Sequence, residues 1–158
     1  MTDTDALGFD VRVKLAVYGH FAETGRGPSP EEVAHRMAAS GSPEVDAASV
    51  RDAYPRLRAQ RVLVLEPDGT SIRMAPPFSG VRTQHVVESG GIRYFANCAW
   101  DALGIPAALH RPALVRSRCE QSLELLDLEV GTEGPAPSDW LFHCLVPAAH
   151  WWDDIVFT

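Results

Sequence analysis

Lysine is almost missing from this chain: Lys14 stands alone, and arginine supplies the rest of the 14 basic residues. That skew reads as genome composition rather than function. Positive charge is also short overall. With 21 acidic residues the net charge is -7, so no global field draws the chain to nucleic acid or an anionic membrane. No apolar run approaches the length that spans a bilayer. The acidic start, Met1-Thr2-Asp3-Thr4-Asp5, lacks the basic opening of a signal peptide. These absences predict a cytoplasmic protein with no membrane partner. Cysteine is sparse too. Cys98, Cys119 and Cys144 form neither a C-x-x-C pair nor an even framework, which fits free thiols in a reducing compartment. Zinc patterns, P-loops, dinucleotide fingerprints and serine elbows are all missing, and the histidines lack ligand spacing. No cofactor is expected.

What is present suits an ordinary globular protein: 158 residues, 46% hydrophobic and 22% charged, with a core that needs no staples. Val13, Val17 and Phe21 recur one turn apart and predict a helix over Phe9–Phe21 that Gly25-Arg26-Gly27-Pro28 breaks. Ser29-Pro30-Glu31-Glu32 is the sharpest local signal. Ser29 caps, Pro30 fits the first helical position and Glu32 completes a capping box, for a helix that Gly41 ends. A third helix is expected from Asp46 through Val50, Ala53, Tyr54 and Leu57, with a kink or restart at Pro55. Strands at 61–65 and 71–74 flank a turn at Pro67-Asp68-Gly69. Three helices and a hairpin make residues 1–75 a winged-helix-like module.

Residues 75–80 read as a rigid linker into a β-rich second domain, 76–158. Strands are expected at 85–88 and 92–95 around Gly90-Gly91, then at 113–119, 122–125, 140–146 and 154–158. A helix interrupts them after Asn97, its first part limited by Gly104-Ile105-Pro106. The fold class is α+β.

The chemistry concentrates in Asn97-Cys98-Ala99-Trp100-Asp101-Ala102-Leu103. Asn97 is a good N-cap, and residues three apart share a helix face, so Cys98 and Asp101 point into one space. The helix dipole at its first turn favours a thiolate. A soft nucleophile beside a proton carrier suits breaking a bond between carbon and a soft metal. The bland alternative is a packed thiol and an aspartate that merely answers the dipole. Trp100 reads as core or pocket wall, and Cys119 as a packed thiol. His143 and Cys144 take opposite faces of a strand, which argues against a joint metal site. Trp151-Trp152-Asp153-Asp154 is equally a pocket wall with a polar network or a hydrophobic plug before a solvated turn. DNA binding through Arg51, Arg56, Arg58 and Arg61 is the weaker reading of the first module, because the hairpin turn Glu66-Pro67-Asp68-Gly69 is acidic.

Met74-Ala75-Pro76-Pro77-Phe78-Ser79-Gly80, Asn97 to Leu103, Ser117-Arg118-Cys119 and Trp151-Trp152-Asp153-Asp154, in this order, resemble the alkylmercury lyases. The resemblance implies a winged-helix-like part followed by a β-rich catalytic part. It makes Cys98 the thiolate that attacks and holds mercury, Asp101 the acid that protonates the leaving carbon, and Cys119 a structural cysteine. It also implies an organomercury substrate and a mercury-accepting protein or thiol. The family's second active-site cysteine would fall just past Thr158, so the resemblance implies a truncated form or a member lacking that thiolate. Two alternatives remain open: a relative that binds a soft metal without turnover, and one that runs another Cys/Asp-dependent lyase reaction on a different small molecule.

Overall fold

The computed structural model describes residues 3–42 and 44–157, with side chains from Gly8 onward. Three helices open the chain: α1 (Asp3–Thr24), α2 (Pro30–Ala39) and α3 (Ala47–Ala59). In α1, Val13, Val17 and Phe21 are fully buried at i, i+4 spacing while Leu15 on the far side is 64% exposed. The capping box of α2 forms as its sequence dictates. Ser29 Oγ accepts from the Glu32 amide at 3.2 Å, and the Ser29 amide donates to Glu32 Oε2 at 2.8 Å. Asp46 caps α3 by accepting from the Ser49 amide at 2.8 Å. The expected kink at Pro55 is absent, and α3 runs through it unbroken. Pro55 is exposed, and burial of Val50, Ala53, Tyr54 and Leu57 on the opposite face outweighs the one lost hydrogen bond.

Two antiparallel sheets follow. The first has the order β1-β2-β3, from β1 (Val64–Leu65), β2 (Ile72–Ala75) and β3 (Phe78–Ser79). The second has the order β5-β4-β6-β7-β8, from β4 (Val86–Ser89), β5 (Ile92–Phe95), β6 (Ala113–Arg118), β7 (Leu125–Gly131) and β8 (Gly134–Pro135). Helix α4 (Ala99–Leu109) joins β5 to β6, so the architecture is α+β. Among the described residues, no helix is long and apolar enough to cross a membrane.

One hydrophobic cluster unites these elements, with Phe78 at its junction. The Phe78 ring stacks on Phe21 of α1 at 5.4 Å and lies 5.8 Å from Tyr94 of β5. Its backbone bridges to Ala96, which ties the first sheet to the segment entering α4. The 75–80 stretch, expected as a linker, therefore contributes a strand.

Several expected elements differ. The 61–65 strand shrinks to two residues, because Arg61 turns through a positive φ of 60° after α3. Gly104-Ile105-Pro106 does not limit α4, whose Ile105 and Pro106 are buried against the sheet. The strand expected at 122–125 begins only at Leu125. Leu123 takes a φ of 61° in a tight turn where its amide donates to the Cys119 carbonyl. Residues 140–146 form no strand; they are irregular and mostly exposed. The 154–158 strand is likewise absent over 154–157, Thr158 lying outside the described residues. A 3-10 helix (Ala148–Asp153) precedes this stretch, which is a bend and a turn.

Candidate active site

The chain delivers Cys98 to the start of α4 from a firmly held strand end. The Ala96 amide donates to the His85 carbonyl at 2.9 Å, and Thr83 Oγ1 donates to the Ala96 carbonyl at 2.6 Å. One residue later Asn97 Nδ2 donates to the Phe78 carbonyl at 3.2 Å and to Asp101 Oδ2 at 2.8 Å. Asn97 is therefore not the cap. Cys98 holds the N-cap position, with an extended backbone (φ -150°, ψ 179°), and its carbonyl accepts the first helical bond from Ala102 at 3.0 Å. Asn97 instead clamps the carboxylate it was expected to precede. Its Oδ1 is buried without a donor of its own.

Burial governs the electrostatics. It pushes the Cys98 thiol up, against the backbone N–H groups of Asp101 and Trp100 that favour the thiolate. The helix start thus does not lower the thiol on balance, contrary to the dipole argument. The charges of Asp101 and Cys144 also raise it. Asp101 is raised by burial as well, and the Asn97 hydrogen bond pulls it partly back. A carboxyl so placed keeps its proton at a higher pH than a solvated one, which is what a proton donor requires.

Two neighbours come from far away in sequence. Tyr18 of α1 is pushed up to about 12, chiefly by burial and then by the charge of Asp101. Its hydroxyl donates to the Pro76 carbonyl at 3.1 Å. Trp100, 54% exposed, sets its ring 5.7 Å from that of Phe142 in the irregular 136–147 segment. No local pattern marks Tyr18 or Phe142, since their proximity depends on how distant segments pack.

The other expected residues scatter. Cys119 lies in the β6–β7 turn, where the Ser122 amide donates to its sulfur at 3.4 Å. Hydrogen bonds from Ser122, and then from the Gln121 backbone, hold its thiol down. Trp151 Nε1 donates to Cys144 Sγ at 3.3 Å and to the Val146 carbonyl at 2.8 Å. Trp152 stacks under the Arg61 guanidinium at 5.9 Å, and Asp153 pairs with His150 at 3.0 Å. Two surface depressions, of about 640 Å³ between α1 and α2 and about 460 Å³ between the start of α2 and the β1–β2 turn, include neither Cys98 nor Asp101.

Residues 78–158 match the family model described as alkylmercury lyase. Among solved structures, the chain is similar to the mercury-bound form of MerB2, with 20% identity and a TM-score of 0.50. That similarity covers 82% of this chain and 68% of the other, and it concerns the fold. No curated protein matches the sequence.

Proposed function

The chain belongs to the alkylmercury lyase family, and from that premise we propose that it cleaves the carbon–mercury bond of organomercury compounds. The observation that carries this reading is a raised carboxylic acid three residues after a thiol, in the first turn of one helix and clamped by Asn97. Residues 1–75 act in this reading as a winged-helix-like module that brings Tyr18 to the reacting groups, and residues 76–158 as the catalytic part.

The steps balance without an oxidant. Cys98 gives up its proton and its sulfur takes the organomercury cation, forming a sulfur–mercury bond. Soft mercury(II) prefers thiolate over the oxygen ligands around it. The sulfur's electron density weakens the bond opposite. That carbon–mercury bond then breaks with its electron pair on carbon, and carbon takes the proton of Asp101. Hydrocarbon leaves, mercury stays divalent on sulfur, and a small thiol or a mercury-accepting protein removes it. The exposed Trp100 ring beside Phe142 offers an apolar surface for the organic group.

DNA binding draws no support from the first module. Arg51 pairs with Glu31, Arg56 grips the buried Asp10 at 2.6 Å, and Arg61 covers Trp152. Hydrocarbon release from phenylmercury, in excess small thiol, tests the proposal by gas chromatography. Wild type should release benzene, Cys98→Ser none, and Asp101→Asn about 100-fold less. Release that survives both substitutions would remove this reading.

A further inference from the structure

We propose that Asn97 is a positioning residue for the proton transfer: it confines the acid proton of Asp101 to Oδ1, the atom that delivers it to the leaving carbon. The inference rests on the cleavage reaction proposed above and deepens it. Two hydrogen bonds from one amide carry it. Asn97 Nδ2 lies between two acceptors, the Phe78 carbonyl at 3.2 Å and Asp101 Oδ2 at 2.8 Å.

A backbone carbonyl only accepts, so Phe78 fixes which way the amide faces. Turning the amide over would set Asn97 Oδ1 against that carbonyl, oxygen to oxygen. Both sides of this clamp are held. The Phe78 ring stacks on Phe21, and its backbone bridges to Ala96. Ala96, just before Asn97, donates its amide to the His85 carbonyl at 2.9 Å and accepts from Thr83 Oγ1 at 2.6 Å. The arrangement leaves Asn97 Oδ1 buried without a donor. The amide is thus set to donate toward Asp101 and not to accept from it.

The consequence falls on Asp101. Its neutral carboxyl carries one proton. On Oδ2 that proton would meet the Asn97 N–H head-on, so it sits on Oδ1. Among the described residues the side-chain donor to Asp101 is Asn97, on Oδ2, and Oδ1 is not sealed away. In the transfer the Oδ1–H bond breaks. The electron pair of the carbon–mercury bond takes that proton and becomes the new C–H bond. Asp101 is left as a carboxylate, mercury stays divalent on the Cys98 sulfur, and the two new charges balance. As the carboxylate charge develops, the Asn97 bond to Oδ2 becomes charge-assisted and stabilises it.

The test measures benzene release from phenylmercury across pH, in excess small thiol, with the full chain. Asn97→Ala removes the donor. Asn97→Asp keeps its shape but offers an acceptor, which draws the Asp101 proton to Oδ2. In both variants kcat should fall about 100-fold on the acid side with KM unchanged, the mark of an interaction made in the transition state. The alkaline limb should move to higher pH in both. Asp101 then holds its proton more fully than in wild type, so the loss reports where the proton sits. A wild-type kcat in Asn97→Asp, or a lower kcat with an unmoved limb, overturns this inference and leaves the cleavage reading standing. Loss of phenylmercury binding by both variants, read by mass spectrometry, also overturns it and marks Asn97 as structural. A wild-type chain that releases no benzene removes the cleavage reading and this inference with it.

Discussion

At the scale of single residues, the arrangement turns on which proton sits where. In the proposed reaction Asp101 serves as an acid only while protonated, and burial extends that range upward in pH. Activity should therefore hold through the ordinary carboxylate range and fall as pH rises through the raised value. Asn97 sets where that fall lies, because its Nδ2 donates to Asp101 Oδ2 and favours the ionised form. Replacing it, Asn97→Ala, should move the alkaline limb of the pH–rate profile upward. A variant that merely loosened the helix start would lower the rate at every pH and leave the limb in place. The sequence placed Cys98 and Asp101 at one helix start, and the structure puts Asp101 in the first turn of α4 with Cys98 just before it as the cap. The role of Asn97 was not legible there. The choice of cap depends on which residue takes the extended backbone, and here that is Cys98. Tyr18 was hidden for a different reason: it feels the charge of Asp101 only because α1 packs its hydroxyl near Pro76.

Among elements, those closed by local chemistry were the readable ones. The box at Ser29 and Glu32 needs only four consecutive residues, and it forms. Ser29→Ala should cost about 1 kcal/mol in denaturant unfolding. Glu32 also gives a signed pH effect. The Arg26 guanidinium and the Ser29 amide hold its carboxyl at about 2, below its ordinary 4.5. A depressed carboxyl contributes stability that is complete above the ordinary value and is lost as pH falls toward the lower one. Wild type should thus lose more stability between about pH 4.5 and 2 than Glu32→Gln does, read from denaturant midpoints at each pH. The strands expected after residue 120 were misread because a strand needs a partner. Residues 140–146 carry a strand-like apolar pattern, yet no neighbouring strand receives them. Leu125–Gly131 alternates in burial and does find β6, six residues in register.

Across the whole molecule, one core joins the helical start to the second sheet and to α4, at whose start Cys98 and Asp101 lie. Phe78 stacks against Phe21 and Tyr94, and the Tyr94 hydroxyl donates to the Ala22 carbonyl at 2.8 Å. Phe78→Ala should cost about 3–5 kcal/mol, and the wild-type chain should unfold in a single transition by both near- and far-ultraviolet dichroism. The α+β class followed from the order of helical and alternating patterns. The joining role of Phe78 did not, since a Pro-Pro-Phe stretch reads locally as a linker. In the proposed reaction the shared core would matter because Tyr18, Asn97 and Asp101 come from segments that it packs together. The most direct test of that chemistry is a single turnover of phenylmercury by the full chain in deuterated water. The account predicts benzene carrying one deuterium at the carbon that bore mercury, with mercury(II) left on the protein. Phenylmercury found intact on Cys98 by mass spectrometry, with no benzene released, would contradict it.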